Sequence, residues 1–127
     1  MKKNLLLYIG FGLVSLVWVL NLLAITFSFY WTLGWYDYMM HFLGGLAIGI
    51  LVIWLLSLRA SLPKSFLIVF IGVMAVGVGW EIFEYLNGLT FSTEGYALDT
   101  FHDLLMDAVG AVAAYYWTIT SLKRESL

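Results

Sequence analysis

Apolar residues run through this chain in four long stretches, separated by short polar or basic interruptions. The first runs from Leu5 to about Phe29 and the second from about Asp37 to Leu58. The third runs from Ser65 to about Leu86, and the fourth from about Asp99 to Leu122. A helix rises about 1.5 Å per residue, so roughly 20 residues cross a hydrocarbon core about 30 Å thick. Each run is long enough. None alternates polar and apolar positions over short segments, as barrel strands do. The pattern predicts an all-α fold: a four-helix transmembrane bundle with helices near 5–29, 37–58, 65–86 and 99–122, forming a single domain over residues 1–127. Tyr30, Trp31, Trp35 and Tyr36 follow the first run, where an interfacial aromatic belt is expected.

Composition sharpens this picture. Charged residues make up 11% of the chain against about 25% in soluble domains, so a surface built from it is not expected to face water. The absence of cysteine excludes disulfides and thiolate chemistry. Lys2 and Lys3 give the first run a positive start, but a secretory signal has an apolar core of only about 7–15 residues. The first run is therefore expected to stay as a membrane helix.

The basic residues orient the bundle. All six (Lys2, Lys3, Arg59, Lys64, Lys123 and Arg124) fall at the termini or in the turn between the second and third runs. Four crossings put these places on one side, and the positive-inside rule makes that side cytoplasmic. Both termini are expected inside, in a multi-pass protein of the bacterial cytoplasmic (inner) membrane.

The acids lie at the other end. Asp37 and His41 open the second run, and Glu81 and Glu84 close the third. Asp99, His102, Asp103 and Asp107 line the start of the fourth. His41, Glu81 and Asp103 come out at one depth, roughly 7 Å inside the outer boundary, with Asp107 about a turn deeper. Helical spacing also places Asp37 and His41 on one face with Gly45 and Gly49, and Glu81 on a face with Gly77. Asp103 and Asp107 share a face with Ala111, next to Gly110. Small residues let helices approach closely, so the acids and the tight contacts should look into the same interior. The first helix offers Asn21 and is expected to serve as packing.

An ionised acid at the bilayer centre costs about 2.5–3.5 kcal/mol even on insertion scales, and neighbouring acids make one another harder to ionise. No Lys or Arg lies on this side to neutralise them. The cluster must share protons, open to water or bind a cation. Carboxylates with imidazole suit a divalent Mn, Fe or Zn ion better than Mg. The metal-ligand candidates are Asp37, His41, Glu81 and Glu84, together with Asp99, His102, Asp103 and Asp107. Glu81, Asp103 and Asp107 are also the candidate catalytic acids and bases. Ordinary roles compete at several positions. Asp37 and Asp99 stand where Asp caps a helix, His102 could reach the interface, and Glu84 and Glu94 could be solvated.

The glycines Gly44, Gly45, Gly77 and Gly79 lie inside helices, which excludes a phosphate loop, and no basic aromatic patch suits nucleic acid. The expected partners are membrane lipids, a lipid or lipid-linked substrate, and a second copy of the chain. Two functions stand nearly level. One is a metal-dependent hydrolase or transferase acting at the outer leaflet, and the other is a cation binder or sensor without chemistry. Transport ranks lower, because the cytoplasmic halves of the helices carry no ionisable group.

The segments Tyr36-Asp37-Tyr38-Met39-Met40-His41, Gly79-Trp80-Glu81-Ile82-Phe83-Glu84 and Tyr96 through Asp103 to Asp107-Ala108-Val109-Gly110-Ala111 resemble YjdF-type and VanZ-like small membrane proteins. The resemblance implies a helix opened by Asp and His, a next helix closed by Glu and a second polar residue, and a last helix with an Asp-rich start. Where VanZ-like proteins often carry Gln and Asn, this chain has Glu84 and Asp107, which sets it nearer the YjdF type. VanZ-like proteins are associated with glycopeptide-antibiotic resistance, so the resemblance adds a resistance-type role to the non-enzymatic reading.

Overall fold

A computed structural model describes residues 3–59, 64–88 and 95–124. Among these the fold is all-helical, with five helices rather than four: α1 (Lys3–Thr26), α2 (Phe29–Thr32), α3 (Tyr36–Ser57), α4 (Phe66–Asn87) and α5 (Tyr96–Arg124). Helices α1, α3 and α4 are each long and apolar enough to cross a membrane. The 29-residue α5 is long enough but is not among them; it carries Asp99, Asp103 and Asp107 in its first half.

The first helix is shorter than its apolar run. It ends at Thr26, and Ser28 turns the chain with a left-handed backbone at φ 59°. Phe29–Thr32 then forms one further helical turn. The aromatic belt divides accordingly. Trp31 and Trp35 are exposed, whereas Tyr36 is buried and donates its hydroxyl hydrogen to the Leu20 carbonyl at 2.9 Å. Tyr30 is half-buried and donates to Asn21 Oδ1 at 2.8 Å. Burial first, and the nearby Asp37 carboxylate second, hold the Tyr30 phenol above its ordinary range, so it remains a donor. These two tyrosines tie the end of α1 to the start of α3. A tyrosine hydroxyl finds a partner when buried, and the apolar runs carry no sign of which one.

The other boundaries lie close to expectation, with two differences at the helix starts. Trp35, not Asp37, occupies the N-cap of α3, and no side chain caps there. α5 begins three residues earlier than expected, so Asp99 sits within its first turn instead of capping it. α4 stops at Gly88, which takes a left-handed φ of 65° and donates its N–H to the Glu84 and Tyr85 carbonyls.

α3 is the centre of the molecule. It packs most extensively on α5, then on α1, then on α4, while the backbone of α1 comes close to neither α4 nor α5. Its contact with α5 is close because both surfaces are bare. A Cβ on Gly45 would run into the Asp107 backbone, and one on Gly110 would meet Phe42 O and Leu46 N. The apolar core lies along the halves nearer the Lys3 end, where Leu6, Ile50, Ile53 and Val69 meet Ala114. A smaller cluster of Ala24, Tyr36 and Met40 closes the opposite end. Large apolar side chains such as Ile71, Ile82, Phe101 and Tyr116 cover the outside, as suits a lipid environment.

Candidate metal centre

The N-terminal halves of α3 and α5 and the last two turns of α4 converge at one end of the bundle, and each delivers acids to it. His41 lies at their meeting point and is 7% exposed. Its two ring nitrogens have different surroundings. Nδ1 lies 3.4 Å from Asp107 Oδ2, a long hydrogen bond in which the imidazole donates when Asp107 is ionised. Nε2 looks at three carboxylate oxygens: Glu81 Oε1 at 3.7 Å, Asp37 Oδ1 at 3.9 Å and Asp103 Oδ1 at 3.9 Å. Hydrogen bonds from nitrogen to oxygen span about 2.7–3.2 Å, so none of the three is one. An ion at Nε2 would require the tautomer in which Nδ1 carries the proton toward Asp107 and Nε2 offers its lone pair toward the three carboxylates.

Two of these oxygens are stranded. Glu81 Oε1 and Asp103 Oδ1 are buried without a hydrogen-bond partner, on residues 5% and 3% exposed. A buried unpaired carboxylate oxygen is costly, and such groups in a native fold call for a proton, a water or an ion between them. The three nitrogen–oxygen distances come near the roughly 3.4 Å that separates ligands about 2.1 Å from a tetrahedral ion, and the donor atoms of each candidate set lie within 4.8 Å of one another, so the side chains would have to draw inward to seat one.

Donor atoms close enough to share an ion form two sets that meet at His41. One comprises Asp37, His41 and Asp103, and the other His41, Glu81 and Glu84. Asp107 belongs to neither. It stands behind the imidazole, where a carboxylate orients a ligating histidine. Its place depends on Gly77, since a Cβ there would overlap the Asp107 carboxylate. Glu81 is steadied on its far side by Thr100, whose hydroxyl donates to Oε2 at 2.9 Å. The Tyr96 hydroxyl also lies 3.4 Å from the Glu81 carbonyl.

Six of the eight expected ligand residues therefore meet: Asp37, His41, Glu81, Glu84, Asp103 and Asp107. Asp99 is half-buried one turn before Asp103, and acts on Asp37 and Asp103 through space. His102 packs edge-on against Tyr38, with ring centroids 5.6 Å apart, and belongs to neither ligand set. Glu94 lies outside the described residues. Sequence reasoning missed Thr100 and the functional part of Gly77. Thr100 precedes Asp103 by three residues on the same helical face, which was the available signal. The described basic residues Lys3, Arg59 and Lys64 are exposed; Arg59 follows α3, roughly 27 Å along the axis from His41.

The family model described as "Predicted membrane protein (DUF2238)" matches residues 4–124, and the chain belongs to that family. No curated protein and no solved structure matches the chain.

Proposed function

We propose that this member of a membrane-protein family binds one divalent transition-metal ion between α3, α4 and α5, in a pocket on the outer side of a bacterial cytoplasmic membrane. In this reading α5 is the fourth crossing and both termini are cytoplasmic. The support for four crossings is that α5 packs on α3 from Tyr38 beside His102 to Gly49 beside Ala114, with Asp103 and Asp107 buried, so these two acids do not meet lipid. The likeness to YjdF-type and VanZ-like proteins, carried by Asp37, His41, Glu81, Asp103 and their neighbours, points the same way.

One observation carries the metal assignment. His41 Nε2 faces three carboxylate oxygens at 3.7–3.9 Å, and two of the three have no other partner. Asp37, His41 and Asp103 are the first ligands, with Glu81 Oε1 next to reach the ion. Mn, Fe and Zn all accept this mixture of carboxylate and imidazole. A metal held there would supply Lewis-acid chemistry, suited to hydrolysis or group transfer on an outer-leaflet lipid. The non-catalytic alternative, a cation sensor, uses the same residues. Metal content of the purified protein separates binding from its absence: about one ion per chain supports the reading, and Asp103→Asn should remove it. Hydrolysis of lipid extracts by the metal-loaded protein, lost in chelator and restored by added metal, separates enzyme from sensor.

A further inference from the structure

α1 and α4 both pack on α3 but their backbones do not come close to each other, and between them lies a cavity of about 270 Å³. Its walls are Val14, Val17 and Trp18 of α1 and Val73, Val76 and Trp80 of α4. Gly44, Gly45 and Ile48 of α3 form the floor. Both walls belong to helices long and apolar enough to span a membrane, so the gap between them opens sideways to hydrocarbon. At one end the lining turns polar: Asn21, Asp37, His41, Glu84 and Asp107 reach it, together with Tyr30. The cavity is thus an amphipathic slot, with an apolar length inside the bilayer and an acidic end.

We propose that this slot binds a lipid carrying an amine headgroup, with one hydrocarbon chain between α1 and α4 and its ammonium beside Glu84. Water cannot fill an apolar gap at this depth, and the only apolar filler that the bilayer supplies is a chain. Charge selects the head. Carboxylates far outnumber the single imidazole at the polar end, and none of the cavity-lining residues is Lys or Arg. A phosphate or sulfate alone would be repelled, whereas an ammonium is attracted. A metal held by Asp37, His41 and Asp103 leaves Glu84 outside its ligand set and still facing the cavity. The slot rests on the membrane placement of α1 and α4 and stands whether or not a metal binds.

Trp18 and Trp80 line the slot and report its occupancy. The protein is reconstituted in a zwitterionic phosphatidylcholine bilayer and titrated with a brominated alkylamine, or with the alcohol or phosphate of the same chain. Bromine quenches tryptophan on contact. The amine is expected to quench saturably at low mole fraction, with about tenfold stronger apparent binding than the alcohol or phosphate, as one desolvated ion pair gives. Gly44→Leu should abolish the saturable component by filling the slot, since a Cβ at Gly44 meets nothing within 4 Å and the fold is kept. Gly79→Leu, equally free of neighbours but outside the slot, should leave it intact. Glu84→Gln should weaken the amine alone. Quenching that rises in proportion to mole fraction for all three probes, or that ignores Gly44→Leu, overturns the slot. Equal or stronger saturable quenching by the alcohol or phosphate overturns the amine assignment. Repeating the titration in chelator keeps the two proposals apart, because saturable amine quenching in metal-free protein leaves the slot standing even if the metal reading fails.

Discussion

The Asp107 carboxylate occupies the space that a side chain at Gly77 would need, and from there it reaches the Nδ1 of His41 at 3.4 Å. A glycine on α4 thereby sets the orientation of an imidazole on α3 through an acid on α5. Gly77→Ala should push that carboxylate away. Overpacking of this kind costs typically about 1–3 kcal/mol, read as a lower melting temperature in detergent. The same variant should lose metal affinity although it changes no ligand. Full affinity in Gly77→Ala would show that Asp107 does not orient His41.

Asp107 itself separates ligand from support. Asp107→Asn retains an oxygen able to accept the Nδ1 proton and should weaken metal binding by about 10–100-fold, the usual cost of altering a group behind a ligating histidine. His41→Ala should abolish binding. Titration calorimetry on both variants makes the comparison. Equal losses would move Asp107 into direct coordination.

The close approach of α3 and α5 predicts a second ranking. Gly45 and Gly110 face backbone atoms of the opposite helix, while a Cβ at Gly44 or Gly79 meets nothing. Alanine at Gly45 or Gly110 should destabilise by about 1–3 kcal/mol or more, because backbone cannot yield as a side chain can. Alanine at Gly44 or Gly79 should change stability much less, by no more than the helix-propensity gain of Ala over Gly. Thermal unfolding of the four single variants tests the order. A loss at Gly44 as large as that at Gly45 would contradict the packing described here.

Much of this arrangement was legible in the residues, for physical reasons. Run lengths gave α3 and α4 to within a residue or two, since membrane thickness sets helix length. The convergence of His41, Glu81 and Asp103 followed from depth and the glycine-lined faces, because an acid in an apolar helix has only the interior to face. The break at Ser28 was not legible. Phe27 and Phe29 on either side of it continue the apolar run, and hydropathy does not register a left-handed residue. The inward turn of Tyr30 and Tyr36 was hidden for a related reason. An interfacial tyrosine and a buried one look alike until the acceptors, Asn21 Oδ1 and Leu20 O, are in place. The slot between α1 and α4 was also invisible, since no pattern along one helix records which neighbours it stays apart from.

The proposed topology predicts a labelling pattern. A cysteine at Lys64 or Lys3 should be protected from an impermeant thiol reagent added outside intact cells, and one at exposed Gly34 should react. The motive is the placement of all six basic residues at the termini or in the turn between the second and third apolar runs. Reaction at Lys64 from outside would invert the bundle and put the acidic pocket in the cytoplasm.

The central claim is that an ion lies between His41 Nε2 and the carboxylates around it. The most direct measurement is the melting temperature of the purified protein in chelator and in added Mn²⁺ or Zn²⁺, taken for the native chain and for Asp103→Asn. A ligand bound only by the folded state stabilises by mass action, by about 2.7 kcal/mol at a hundred times its dissociation constant. The native protein should melt lower in chelator and recover with metal, and Asp103→Asn should ignore both. A native melting curve indifferent to chelator and to metal, with Asp103→Asn as stable or more stable, would contradict the account and leave the cluster as a set of acids sharing protons.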